Sequence, residues 1–339
     1  MSSLENTIKV KARQLGYEAC GIIAAGIFEE FLMQLNTRSE IFPHAKWFYE
    51  NLRKLAIPQE QIDWAKSIVV CVRRYDKYKI PDGLDRFIGK VFLCDGRLDY
   101  SQEYKNNAAF EEFLQQLGFR TMPNVVPARW AAVKAGLGKF RNNNFIYREQ
   151  GSWVWVDTWV VDKELEYQQE MTTYQFPCPE GCQECIKACP TGALSAPLTM
   201  DATKCIACST FRPGLKVVES SLRKMGTWLY GCDMCQNVCP ANAKTWQVTE
   251  DYFEDPLSLR DLITLENIFS MDEITYRTKV QPRFWYINAE DGWFWKCKVI
   301  RAMANEDVQK YHAYFLQALN DPNEEVKKMA RWALKGEQG

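Results

Sequence analysis

Histidine is almost missing from this chain, with only His44 and His312 among 339 residues. Two imidazoles so far apart argue against a metal site built on histidine. A charge surplus is missing as well. There are 42 Lys and Arg against 43 Asp and Glu, a formal charge of −1, so bulk electrostatics do not call for a nucleic-acid partner. No apolar run reaches the roughly 18 residues a membrane span needs, and no membrane partner is expected. Residues 1–11 are polar and charged, without the apolar core of a secretory leader, which sets the cytoplasm as the expected location.

Cysteine, by contrast, is abundant, at 13. In a reducing compartment disulfides do not account for so many, and metal is the leading reason. Hydrophobic residues at 47% and charged residues at 25% are ordinary for a folded chain, and this length allows two or three packed units.

Residues 1–165 read as mixed α/β. Residues 4–15 have helical apolar spacing with Gly16 as the stop, and residues 108–117 form a second amphipathic helix ended by Gly118. Residues 17–25, 67–72 and 119–122 have strand length. In residues 152–161, Trp153, Trp155 and Trp159 alternate with Val154, Val156 and Val160, and Asp157 is the one charged interruption. A polar stretch over 162–175 reads as a linker. The cysteine-dense module occupies 166–250. Residues 251–339 read as helical, ending in three apolar-periodic helices at 289–304, 307–319 and 323–334 that resemble HEAT-type repeats, with a plain helical cap as the alternative. The fold class is α+β.

The cysteines fall into two constellations. Cys178-x3-Cys182-x2-Cys185-x3-Cys189-Pro190 is the first; Cys205 with Cys232-x2-Cys235-x3-Cys239-Pro240 is the second. A [4Fe–4S] cube needs four thiolates, and in two-cluster ferredoxins the Cys-Pro cysteine of each motif crosses to the other cube. Cys178, Cys182, Cys185 and Cys239 would then hold one cluster, and Cys189, Cys205, Cys232 and Cys235 the other. Pro190 and Pro240 keep helices from running on, while Gly181 and Gly192 allow tight turns. Four-cysteine zinc is the structural rival; the twice-repeated Cys-x2-Cys-x3-Cys-Pro run favours iron–sulfur. Cys208 is left over, either an alternative to Cys205 or, like Cys20, Cys71, Cys94 and Cys297, a small buried apolar residue.

At this point the chain resembles the epoxyqueuosine reductases, cobalamin-dependent enzymes related in core architecture to reductive dehalogenases. "DATKCIAC" followed by "YGCDMCQNVCPAN" is similar to that family's second cluster motif, and "AVKAGLGKFRNNNFIYREQGSW" to its corrinoid-lining segment. The resemblance implies that 1–165 is a corrinoid-binding domain followed by a bacterial-ferredoxin-like double-cluster module. It also implies cobalamin bound base-off, reduced from Co(II) towards Co(I) by the clusters. Gly136, Gly138, Asn142, Asn143, Asn144, Arg148 and Ser152 would contact the corrinoid, although a helix cap and turn is the plainer reading of the two glycines.

One departure stands out. The family carries an aspartate, taken as the proton donor, thirteen residues before the alanine matching Ala135, and that position here is Met122; no aspartate lies between Asp99 and Asp157. The expectation is therefore a reductase acting on a small molecule other than epoxyqueuosine, with Arg129 and Tyr147 as catalytic candidates and reduced ferredoxin or flavodoxin as electron donor. The alternatives are an electron carrier or corrinoid-handling protein serving a partner protein, or a tRNA epoxyqueuosine reductase with a rearranged proton donor. Lys134, Lys139, Arg141 and Arg148 would then bind tRNA, although a solvated loop is the favoured account of those charges.

Overall fold

The apolar runs of the first half become strands of one sheet in the computed structural model, which describes residues 3–167, 178–215 and 217–335. In chain order the strands of this half are β1 (Ala19–Ala24), β2 (Ser67–Arg74), β3 (Thr121–Pro123), β4 (Lys139–Phe140), β5 (Ile146–Tyr147) and β6 (Val154–Val161). β4 and β5 pair as a separate hairpin; the others form a sheet in the order β1-β2-β6-β3. Every pairing is antiparallel, with Ala19 opposite Val72, Ser67 opposite Val161, and Met122 opposite Val160.

β2 reads as an unbroken apolar run because it is buried on both faces. Val69 and Cys71 point to a core that includes Ile8, Ala12, Phe110 and Leu114 from the helices Leu4–Gln14 and Gln102–Gln116. Ile68, Val70 and Val72 point the other way, towards Ala131, Ala132 and Val133 of the helix Ala128–Lys134 and Phe31 and Leu35 of Glu29–Ile41. Period-two alternation thus sorts one strand between two helical layers. β6 divides likewise, with Trp159 and Val161 on the first side and Val154, Val156 and Val160 on the second.

Just before β6, Trp153 joins a third and larger core. It contains Tyr75, Leu229, Tyr230, Phe284 and Trp295 and is built mainly on the C-terminal helices. The three helices expected there are Gly292–Glu306, His312–Ala318 and Glu324–Lys335. Residues 251–283 hold shorter helices, Pro256–Leu262 and Leu265–Ser270 among them. The linker read at 162–175 falls partly on residues 168–177, which lie outside the described residues.

Asp157, the charge interrupting β6, is 5% exposed. It accepts a hydrogen bond from the Tyr17 hydroxyl at 3.0 Å and pairs with Arg73 on β2 at 3.2 Å. Removing one partner of a buried pair leaves an uncompensated charge. Asp157→Ala is expected to lower stability by about 3–5 kcal/mol, read as a fall in the urea unfolding midpoint.

Candidate active site: two cysteine cavities and an aromatic cleft

The cysteine module has little regular structure of its own. Single-turn helices at Glu184–Lys187 and Met234–Asn237 carry Cys185 and Cys235, a slightly longer one at Ile206–Phe211 carries Cys208, and the module's other cysteines lie outside helices. Cys178, Cys182, Cys185 and Cys239 stand around one cavity of about 520 Å³, together with Arg141, Asn142 and Asn143. Burial pushes the Cys185 thiol up to about 11, with Cys239, Cys178 and Cys182 adding to the shift through their charges. Burial likewise raises Cys232 and Cys235, and each feels Cys205 and Cys189. Four of the cysteines thus share one cavity, and Cys189 and Cys205 act electrostatically on Cys232 and Cys235.

Cys205 is drawn down to about 7, first by a hydrogen bond with the Cys208 side chain, then by the backbone N–H groups of Cys208 and Ala207. It precedes the helix Ile206–Phe211, a position that favours a thiolate. Cys71, Cys94 and Cys297 are buried, and burial raises all three thiols. Half-buried Cys20 sits opposite Cys71 on β1.

Beside the second set lies a cleft of about 350 Å³. One wall holds Val154, Trp155 and Val156 of β6; Cys232, Asp233 and Gln236 form another, and Arg97, Phe211 and Tyr286 close it. Arg129 lines it too. The residue is exposed, yet protein crowds its guanidinium, and this desolvation lowers its pKa against the opposing charges of Tyr75, Cys235, Tyr286 and Cys205. It donates to the carbonyl of Asn144 at 3.1 Å. Neither histidine is among the lining residues.

Residues 178–242 match the family model described as a 4Fe-4S double cluster binding domain. A curated epoxyqueuosine reductase of Leadbetterella byssophila is 30% identical over 287 residues, 81% of this chain and 90% of that protein. The chain belongs to the epoxyqueuosine reductase family. The fold agrees with that of solved members. An epoxyqueuosine reductase held with an epoxyqueuosine-modified tRNA stem loop superposes with a TM-score of 0.81 at 22% identity, covering 98% of this chain and 90% of that one. The Bacillus subtilis enzyme, caught with its catalytic aspartate loop swung out of the active site, gives 0.80 at 22% identity and the same coverage. This family member is thus an oxidoreductase-type enzyme with a double [4Fe–4S] module.

Against this family frame, the residues singled out in the sequence fall in several places. Arg129 and Ser152 line the cleft. Ser152 is buried, and its Oγ receives Gln236 and Asn242 at 2.9 Å each. Asn142 and Asn143 face the first cysteine cavity instead of the cleft, because the hairpin turn folds under the cysteine loops. Asn142 donates to the carbonyl of Cys182 at 3.3 Å and Asn143 to that of Cys235 at 2.9 Å. Tyr147 is buried on the same side, its hydroxyl accepting from Asn143 at 2.8 Å, and is not a cleft residue. Asn144 occupies the left-handed region in the turn between β4 and β5. Arg148 closes the next turn with Gly151.

Gly136, at φ +72°, caps the helix Ala128–Lys134, and a side chain at Gly138 would meet the carbonyl of Tyr147 at 3.1 Å. Their conformational roles are local, and neither lines the cleft. Met122 sits on edge strand β3, outside the cleft. Sequence reasoning missed Arg97, Trp155, Asp233 and Tyr286. Arg97 had one signal, a pair of charges (Asp95 and Arg97) after the apolar run "VFLC".

As two ligand sets, the cysteines make a sharp prediction. Cys239→Ser and Cys189→Ser should each cut iron from about eight to about four per chain. Cys205→Ser should do the same and Cys208→Ser should not, by iron and sulfide analysis after anaerobic reconstitution.

Proposed function

We propose that this protein is an iron–sulfur and cobalamin-dependent epoxyqueuosine reductase whose proton comes from the cleft wall rather than from position 122. The observation that carries the reading is that the cleft borders the second group of cysteines. Cys232, in the second set, lines the cleft, and Asn143 links the first cavity to the carbonyl of Cys235. Electrons entering at the first cluster, from a reduced ferredoxin or flavodoxin, would reach the second and then the cleft. A concave cleft lined by residues from all three parts of the chain suits an enzyme with its own substrate better than a carrier that passes electrons to a partner.

The residues fit a corrinoid in kind. The walls are aliphatic and aromatic, and the indole N–H of Trp155 is buried without a protein acceptor. Buried nitrogens of Asn144 and Arg148, in and beside the β4–β5 hairpin, also lack protein partners, although neither residue lines the cleft. Cobalamin bound there would supply a cobalt centre reducible to a strong nucleophile. The protein's part is then to bind, to exclude water and to hold charge. Arg129 places a fixed cation between the second cysteine set and the substrate, where negative charge develops during reduction. Trp155 and Phe211 offer flat apolar surface to a ring.

One observation favours a second reading, in which the substrate is not epoxyqueuosine in tRNA. An open groove of about 1260 Å³ adjoins the cleft through Arg97; its acidic residues Asp99, Glu254, Asp255, Asp261 and Asp272 outnumber Arg97, Lys279 and Arg283, a balance that disfavours a phosphate backbone. The deciding measurement is anaerobic reconstitution with iron, sulfide and cobalamin, then incubation with an epoxyqueuosine-modified tRNA stem loop and a low-potential reductant. Conversion of the modified base, with a base-off Co(II) signal by EPR, is expected. A protein carrying both clusters and cobalt that leaves the stem loop unchanged would transfer the assignment to the second reading.

A further inference from the structure

We propose that Tyr286 is the proton donor to the substrate and that Arg97 is its positioning residue. The proposal rests on the reductase reading above.

Reduction in the cleft leaves negative charge on the substrate, and a proton must be within reach. Position 122 cannot give one, and a guanidinium such as Arg129 does not release its proton. Four other lining side chains are set aside by their surroundings. Asp233 is engaged by the backbone N–H of Lys90 at 2.6 Å. Tyr75 is 3% exposed and hemmed in by Trp153 and Trp246. The Ser152 hydroxyl is tied to Gln236 and Asn242. Cys232 belongs to the second cysteine set. Tyr286 differs from all of them, being 40% exposed.

The surroundings of Tyr286 decide which way its hydrogen points. Arg97 donates to the phenol oxygen at 2.8 Å. A guanidinium only donates, so the tyrosine hydrogen must aim elsewhere, and among the described residues it has no acceptor. Arg97 is itself immobilised. Asp95, which is fully buried, grips it with two bonds at 2.8 and 2.7 Å, and Trp155 and Trp285 flank it at 4.5 and 4.6 Å. It therefore holds the phenol oxygen in place and balances the charge left when the proton departs. Arg97 and Trp285 also line the large open groove, which gives water a route to restore that proton.

Reductive removal of an epoxide oxygen takes two electrons and two protons. Both C–O bonds break, a C=C bond forms and the oxygen leaves as water. The electrons come from the external low-potential donor through the clusters. Tyr286 gives one proton to the oxygen as the first C–O bond breaks, the solvent gives the second, and water from the groove reprotonates the phenolate.

The test uses full-length reconstituted protein with the epoxyqueuosine-modified stem loop and chemical reductant, reading kcat and KM separately, with iron content and cluster EPR as controls. Tyr286→Phe is expected to lower kcat by about 10²–10⁴-fold with little change in KM and unaltered cluster spectra. Arg97→Lys should retain more kcat than Arg97→Met; if Arg97→Met fails to hold its clusters, Arg97→Lys and Tyr286→Phe decide the matter. A kcat for Tyr286→Phe within about threefold of wild type, well short of a general-acid effect, would overturn the proposal while leaving the reductase reading intact. A fully loaded wild-type protein that leaves the epoxide untouched overturns both.

Discussion

A double [4Fe–4S] cluster binding module has to present its cysteines from a segment that cannot hold its own shape. Its helices are one or two turns long, too short to be stable alone. The segment is held from outside, largely through its backbone carbonyls. Asn142 and Asn143 of the hairpin turn bind those of Cys182 and Cys235. From the C-terminal helix Gly292–Glu306, Lys298 donates to the carbonyl of Thr210 at 3.3 Å and Arg301 to that of Gly226 at 3.0 Å and also to that of Trp228. The sheet domain and the helical region therefore act as two jaws on the module, and the cleft lies where they and the module meet.

The same constraint accounts for buried cations that would otherwise be costly. Lys298 and Arg301 are 4% and 2% exposed, and burial drives the lysine pKa well down and brings the arginine to about 10. For both, the bonds that hold them run to carbonyl oxygens. Carbonyl dipoles offset part of the desolvation, and the lysine also rests 3.7 Å from the Trp295 ring centre. A cube bound by four thiolates carries net negative charge, so cations buried around the module compensate a charge that loading brings in. Arg129, an exposed residue that lines the cleft, adds a further cation, with Cys235 and Cys205 among the charges it meets.

The parts of this arrangement legible in sequence are those set by local chemistry. Cysteine spacing gives the two constellations because a cube imposes it, and the Trp/Val alternation gives β6 because a pleated strand has period two. Asn142, Asn143 and Tyr147 were legible as polar residues of a site segment but not as partners of the cysteine loops, since that depends on which way a hairpin turn folds. The cleft itself was not legible. Arg97, Asp233 and Tyr286 are far apart in the chain, and only the packing of the C-terminal region against the first domain brings Tyr286 to Arg97.

The placement of position 122 bears on how such a cleft can work. In the Bacillus subtilis relative a catalytic aspartate loop swings out of the active site. Here residues 121–123 pair with β6, and Asn124 is stitched to Thr158 through backbone N–H to carbonyl at 2.9 Å and through its side-chain oxygen at 3.3 Å. In this conformation the stretch is part of the sheet edge and does not line the cleft. On the proposed reading the proton comes instead from a fixed group on the cleft wall, oriented by its neighbours rather than by closure. A phenol whose oxygen is held by an arginine, itself clamped between two indoles and gripped by a buried carboxylate, meets that description without any movement of the backbone.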